Sequence, residues 1–417
     1  SATLLTLVLL PVLYYLLEKR SKRKGTVNKS VAVSIILLLF TLSSQAQETW
    51  SLQQIENHVI AEHPLLKNSQ LNKEKTALGK GQVWELAPLD ASVQYGQISY
   101  DQNDFFLNIN QDLGNVWNRI AEANRLKQQI QLNETDINLL QNGMVFKVEQ
   151  AFSHWQYAKK ALDVLINFKE NLAETNRIAN LQKEAGEISE LDLGLFKLQL
   201  ARLNVQINNM QIAVAEKEAE VRKVSFIPTD IVLSTTDFDN TNLLHENDLG
   251  KSFLSNLEQQ QQMAQLNVSI NKSLYAPSFS AGYFNQSLEN QNGFSGVSIG
   301  IKAPIWWWAN QSRVEQAKVS TLQVQNDISF QISLKQEQLN GLNKAFKETE
   351  TQVNALETQL TEVAKINELS QLSLKKGEYD YLQFIQQQQI LLDAQLSFLE
   401  LKNKQSQLAF EINYLSK

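Results

Sequence analysis

The chain repeats itself at a nearly constant spacing. Gly186-Glu187-Ile188-Ser189-Glu190-Leu191-Asp192-Leu193 is matched by Gly377-Glu378-Tyr379-Asp380-Tyr381-Leu382-Gln383-Phe384, an offset of 377 − 186 = 191 residues. Arg119-Ile120-Ala121-Glu122-Ala123 is matched by Arg313-Val314-Glu315-Gln316-Ala317, where 313 − 119 = 194. Two matches at almost one spacing mark an internal duplication, so the fold is built from two similar halves. Each half has the same predicted order: a helix, two short alternating segments, a very long helix, a Gly-Glu turn and a second long helix.

The short segments alternate with the period of a strand. Phe105, Leu107 and Ile109 alternate with Phe106, Asn108 and Asn110, and Ala91, Val93 and Tyr95 with Ser92, Gln94 and Gly96. This predicts a hairpin over about 90–113, turning at residues 101–104. In the second half Val297, Ile299, Ile301 and Ala303 oppose Ser298, Gly300 and Lys302, with Phe279, Ala281 and Tyr283 on the partner strand. That hairpin covers about 278–303 and turns at residues 290–293. Each strand has about the 9–11 residues of a tilted membrane strand. A hairpin is not stable alone in water, and its unpaired amides cost several kcal/mol each in lipid. Four strands are too few to close a barrel of useful bore; three copies would supply a twelve-stranded one. If Ile301 faces lipid, Lys302 faces the barrel lumen; the other reading of Lys302 is plain solvent exposure.

With only 6 Pro and 15 Gly, long helices are allowed. They are predicted over 48–85, capped by Thr49 and kinked or divided at His63-Pro64, and over 117–185 and 309–376. At 1.5 Å per residue each of the last two is about 100 Å long. In the final helix Leu391/Ala394, Phe398/Leu401, Gln405/Leu408 and Ile412/Leu415 fall on coiled-coil a and d positions, one of them polar. Residues 228–247, rich in Asp, Asn and Thr after Pro228, read as a linker between repeat 1 (47–227) and repeat 2 (248–417).

Composition removes several functions. The net charge of −6 and the absence of a basic aromatic patch argue against nucleic acid. There are no cysteines, hence no disulfide, thiolate metal site or Cys nucleophile. His58, His63, His154 and His245 lack ligand spacing, and Met144, Met210 and Met263 are scattered. No catalytic constellation stands out, so no enzyme activity and no cofactor are expected.

The N-terminus carries two apolar runs around a basic stretch. Residues 1–18 are too short for a full membrane span. Residues 19–30 contain Lys19, Arg20, Lys22, Arg23, Lys24 and Lys29, the composition of a loop that stays cytoplasmic. Residues 31–46 end in Ser43-Ser44-Gln45-Ala46, as a signal peptide cleaved after Ala46 would; an uncut anchor is the alternative. Ser1-Ala2-Thr3-Leu4-Leu5-Thr6-Leu7 and Leu10-Pro11-Val12-Leu13-Tyr14 resemble the end of the last transmembrane helix of heavy-metal resistance-nodulation-division pumps. That resemblance implies a gene fusion, with a pump upstream and its remnant in the inner membrane. Because helix is predicted to start within a few residues of Ala46, an uncut tether would leave almost no reach, so separate mature polypeptides are expected.

The duplicated order of helix, hairpin and long helical hairpin resembles the TolC family of outer-membrane efflux channels, over about 48–417. Its local signals are the turns at Gly186 and Gly377 and the stretch Ala303-Pro304-Ile305-Trp306-Trp307-Trp308, which resembles the family's strand-to-helix exit. The expected fold is mainly α with a small β part: long helical hairpins forming an α-barrel, and four strands per protomer in a trimeric membrane barrel. The resemblance implies a homotrimer in outer-membrane lipid and the periplasm of a Gram-negative bacterium. Its implied partners are a periplasmic adaptor (membrane fusion protein) and an inner-membrane resistance-nodulation-division pump. It would be a passive conduit for heavy-metal cations or small toxic compounds.

The resemblance makes Gly186, Glu187, Ser189, Gly377, Glu378 and Asp380 the periplasmic tips that meet the adaptor, and Glu190, Asp192, Gln383 and Gln386 the pore entrance. Gln383 and Gln386 replace the family's acidic residues, with Asp380 and Glu378 as substitutes; a solvated helix face is the other reading of Glu190 and Asp192. Trp306, Trp307 and Trp308, at the base of a strand, fit an aromatic girdle at the membrane interface, because three adjacent indoles cannot all face one core. A periplasmic coiled-coil adaptor or scaffold is the competing function, and it gives no reason for a bare apolar sheet face.

Overall fold

In a computed structural model of the chain, residues 48–98, 101–184, 186, 188–235, 243, 248–288, 291–376 and 380–417 are described. The readings of residues 1–46, and of most of the segment 236–247, lie outside them. The chain divides into two compact units, Ser1–Thr49 with Asp230–Val232, and Trp50–Thr229 with Leu233–Lys417. In the first, the Val232 N–H donates to the Glu48 carbonyl at 3.0 Å. The second holds the duplicated architecture.

Its elements follow the predicted order, with differences at the start. A short strand β1 (Thr49–Trp50) precedes helix α1 (Leu52–Glu62). The helix therefore begins after Ser51, whose N–H donates to Gln54 Oε1 at 2.8 Å, and Thr49 is not its cap. His63 sits in extended backbone (φ −62°, ψ 127°) and separates α1 from α2 (Pro64–Leu78). Two effects coincide there: the residue before a proline is driven out of helical geometry, and proline suits the first helical position. The His63 Nδ1 accepts the Leu65 N–H at 3.2 Å, which starts the new helix. A 3-10 turn (Gly79–Trp84) leads to strands β2 (Asp90–Gly96) and β3 (Asp104–Gly114).

Two helices follow, α3 (Val116–Glu184) of 69 residues and α4 (Glu190–Ser225) of 36. After β4 (Val232–Leu233), the second repeat runs α5 (Lys251–Ser273), β5 (Ser278–Leu288), β6 (Gln291–Lys302), α6 (Trp307–Lys375) and α7 (Tyr381–Ser416). Helices α6 and α7 again have 69 and 36 residues. The offsets are 307 − 116 = 191 and 381 − 190 = 191, the spacing of the repeated Gly-Glu motif. The hairpin of repeat 2 is tighter than expected: Leu288 pairs with Gln291, so Gln291 to Gly293 belong to β6, not to the turn.

The four strands form one antiparallel sheet in the order β2-β3-β5-β6. Its register sorts the residues by face. One row is Ala91, Ile109, Tyr283, Val297; the row of opposite parity is Asn110, Gly282, Ser298. The first face gathers Val93, Leu107, Ala281, Ile299 and Ile301, and the second Asn108, Asp112, Ser280 and Gly300. Val297, Ile299 and Ile301 are 81, 82 and 67% exposed, so nothing among the described residues covers the apolar face there. Gln111 breaks it, and its amide donates to the Ala87 carbonyl at 2.7 Å. On the polar face the Phe284 ring lies against Gly296, where a Cβ would come within 2.6 Å of it, so any larger residue there would displace the ring.

The helical core is a chain of clusters rather than one centre. Phe152, Val148, Trp155 and Val221 pack with Ile55 and Val59 of α1. Farther along, Phe168, Phe196, Leu203, Phe384 and Leu392 join α3, α4 and α7. Leu339 and Phe346 of α6 meet Ala409, Ile412 and Leu415 of α7. Each fully buried side chain of this size is worth about 1.5–3 kcal/mol. The a and d residues Leu391, Gln405, Ile412 and Leu415 are buried, but so are Leu392, Asn403 and Ala409. The buried face of α7 is wider than a two-stranded seam, because α7 packs on both α3 and α6.

Candidate functional site

Two regions of the second unit hold the candidate residues: the polar face of the sheet with the strand-to-helix exits, and the helix reversals. On the sheet, Lys302 Nζ donates to Asp112 Oδ2 at 2.8 Å, and Asp112 Oδ1 accepts the Gly114 N–H at 2.8 Å. Lys302 thus lies on the polar face, opposite Ile301. The pair is open to solvent, which screens it, so it adds little stability.

The three tryptophans do not sit on the strand. β6 ends at Lys302; Trp306 is the residue before α6, and Trp307 and Trp308 form its first turn. All three are exposed, and Trp306 and Trp308 meet edge to face with centroids 5.0 Å apart. The exits themselves are pinned by asparagines that sequence reasoning missed. Asn115 Nδ2 donates to the Ser273 and Ala276 carbonyls, both at 2.9 Å, while its Oδ1 accepts the Asn118 N–H at 3.0 Å and starts α3. Asn310 Nδ2 donates to the Leu274 carbonyl at 3.1 Å. One side chain caps a helix and ties it to the neighbouring repeat; among so many asparagines, no spacing singles these out.

At the first reversal Gly186 has φ 78°, a backbone that favours glycine, and its N–H donates to the Lys183 carbonyl at 2.9 Å. Ser189 begins α4. Its Oγ accepts the Asp192 N–H at 3.2 Å, and Asp192 Oδ2 accepts the Ser189 N–H at 3.2 Å, a reciprocal capping box. The Asp192 carboxylate is therefore committed to the helix start. Glu190 forms an ion pair with Lys183, whose hydrogen bond holds the Glu190 carboxyl below its usual range. Gly186, Ser189, Glu190 and Asp192 come together in one turn. We expect Ser189→Ala to cost about 1 kcal/mol locally. Hydrogen exchange checks it: amides 190–193 should exchange several-fold faster, with the rest of α4 unchanged.

At the second reversal Asp380 precedes α7 in extended backbone, and Gln383 and Gln386 are exposed in its first turns. Glu187, Gly377 and Glu378 lie outside the described residues. Beside this reversal is a cavity of about 180 Å³ between α3, α6 and α7, bordered by Asn171, Ile178, Gln182, Gln371, Tyr381 and Phe384. The Tyr381 hydroxyl donates to Gln182 Oε1, and its ring meets Phe196 edge to face at 5.4 Å. One residue thus links the ends of α3, α4 and α7. Its position just past the Gly-Glu motif is visible in the sequence; its partners are not.

A buried carboxylate lies farther along α3. Glu149 is pushed up to about 7, chiefly by burial and then by the Glu56 carboxylate, against the opposing effect of Lys417. Burial also raises Glu56.

No family model matches the chain, and no curated protein matches its sequence. Solved structures do match. CusC is similar with a TM-score of 0.73 and 12% identity, over 88% of this chain and 92% of that one. The CmeC outer membrane channel of Campylobacter jejuni is similar with a TM-score of 0.69 and 15% identity, over 87% and 86%. The open state of the MtrE outer membrane channel of Neisseria gonorrhoeae gives 0.72 and 14%, over 87% and 88%. At such identities the likeness is one of fold, and it extends over nearly the whole of each chain: this protein has the TolC-like fold of the outer-membrane channels.

Proposed function

We propose that the chain is one protomer of a trimeric outer-membrane channel, a passive conduit in a tripartite efflux system. The observation that carries this is the sheet. Its apolar face is bare, its polar face carries Asn, Ser, Asp and Lys, and its edge strands β2 and β6 have no partner strand among the described residues. An open four-stranded sheet cannot sit in lipid, where each unpaired amide costs several kcal/mol; closing edge to edge with two further copies removes every edge. The neighbours named as outer-membrane channels support the same reading.

In this reading Trp306, Trp307 and Trp308 mark the lipid interface and Lys302 faces the lumen. The reversals with Gly186, Glu187, Ser189, Gly377, Glu378 and Asp380 meet a periplasmic adaptor, and Glu190, Asp192, Gln383 and Gln386 line the entrance. An inner-membrane pump supplies the energy. For the cargo we propose a heavy-metal cation, on the resemblance of residues 1–18 to a pump of that class.

Fractionation of producing cells tests the function. The protein should be recovered in outer membranes as a trimer that survives dodecyl sulfate unheated and falls to monomer on boiling. Recovery as a soluble periplasmic monomer would instead establish the scaffold.

A further inference from the structure

The cavity beside the second reversal is built in two layers. Its floor is apolar and buried: Leu374, Tyr381 and Phe384 are 7, 8 and 1% exposed. Its mouth is polar, with Asn171 and Glu174 of α3 exposed and Gln371 of α6 half-buried. A second cavity, of about 160 Å³, continues it along the same three helices, over Phe168 and Leu391. Asn171 and Gln371 border both, so the two form one slot. A side-chain hydrogen bond borders each part of it. The Tyr381 hydroxyl donates to Gln182 Oε1 in the first, and Gln388 Nε2 donates to Asn367 Oδ1 in the second.

Charge and open hydrogen-bonding capacity narrow the occupant. Among the described residues that border the slot, Glu174 is the one charged group. Arg177 already holds its carboxylate through two bonds of 2.9 Å. An ion entering the slot would leave water without an opposite charge to meet, which is costly. The amides of Asn171 and Gln371 differ from Glu174 in this respect: neither side chain is engaged by another described residue. Each can donate and accept at once. A cavity of about 150 Å³ lined by hydrocarbon alone stays dry and takes benzene. This slot offers a floor of similar size with two amides at the entrance.

We infer that the slot is a binding site for a small uncharged aromatic molecule carrying a carboxamide or hydroxyl group. The ring lies over Leu374 and Phe384, and the polar group meets Asn171 and Gln371. The site needs only the packing of α3, α6 and α7, so it stands or falls separately from the channel reading.

Fluorine NMR of 4-fluorobenzamide with the purified full chain tests it. The probe's line should broaden saturably, with a Kd of roughly 1 mM, as so few non-hydrogen atoms allow. The charged analogue 4-fluorobenzoate should bind about ten-fold more weakly or not at all. Leu374→Trp puts an indole into the floor and should abolish the broadening. Gln371→Leu keeps the size of a half-buried side chain and removes its amide; it should weaken binding about ten-fold, the worth of one hydrogen bond. Should Leu374→Trp fail to fold, Gln371→Leu decides. Equal broadening by the parent and Gln371→Leu overturns the assignment. So does equal binding of the benzoate, or a parent chain that shows no saturable broadening.

Discussion

Ile299→Lys should leave almost no assembled trimer in the outer membrane, whereas Gln94→Lys should assemble like the parent. Both positions are exposed within one chain, so burial inside the protomer does not separate them. The face does. Ile299 stands in the row with Ala281 on the apolar face, and Gln94 pairs with Phe106 on the polar one. A lysine facing the bilayer midplane costs about 2–4 kcal/mol per copy, and in the proposed trimer three copies would carry it at once. The sum rivals the whole stability of an ordinary domain, about 5–15 kcal/mol. Heat-modifiable trimer in outer-membrane fractions measures the outcome. Equal amounts for the two variants would mean that the Val297–Ile299–Ile301 face never meets lipid.

The second large effect concerns Glu149. Its carboxyl is pushed from an ordinary 4.5 up to about 7 in the folded protein. A folded value above the unfolded one means that the associated stability is complete below about pH 4.5 and is lost as pH rises through 7. The loss at pH 8 is about 3 kcal/mol, at 1.36 kcal/mol per unit. Glu149→Gln keeps the shape and removes the charge. It should raise the melting temperature at pH 8 by several degrees and leave it nearly unchanged at pH 4.5. A gain of equal size at both values would show that ionisation of Glu149 is not what strains this part of α3.

The architecture was legible because the duplication speaks at a scale where local ambiguity averages out. The 191-residue shift and the period-two alternation in the strands give the order of the elements, and the scarcity of breakers over 117–185 and 309–376 places the long helices to within a residue or two. What was hidden depends on contacts between distant segments. Helix α3 touches α1, α2, α4, α5 and α7 at different levels, so its buried side turns along its length and no single stripe marks it. Glu149 is therefore indistinguishable from the other acids of the helix until α1 covers it. Asn115 and Asn310 are hidden in the same way. The start of α1 was misread because Thr49 and Ser51 are both good caps; Thr49 lies instead in β1, and Trp50 there accepts a backbone bond from Ser234 at 2.9 Å. At the reversals the glycine was plain, but the partner of Tyr381 comes from a helix ending nearly two hundred residues earlier.

The matched lengths of the two helical hairpins carry a consequence for whatever binds their ends. In a closed ring of three protomers the six bends would lie on one level, spaced as though six subunits were present. The chemistry does not share that symmetry. Where one bend offers Ser189, Glu190 and Asp192, its neighbour offers Asp380, Tyr381 and Gln383. A docking protein with six identical arms would find every arm seated at the same height, with more and less acidic footings alternating around the rim.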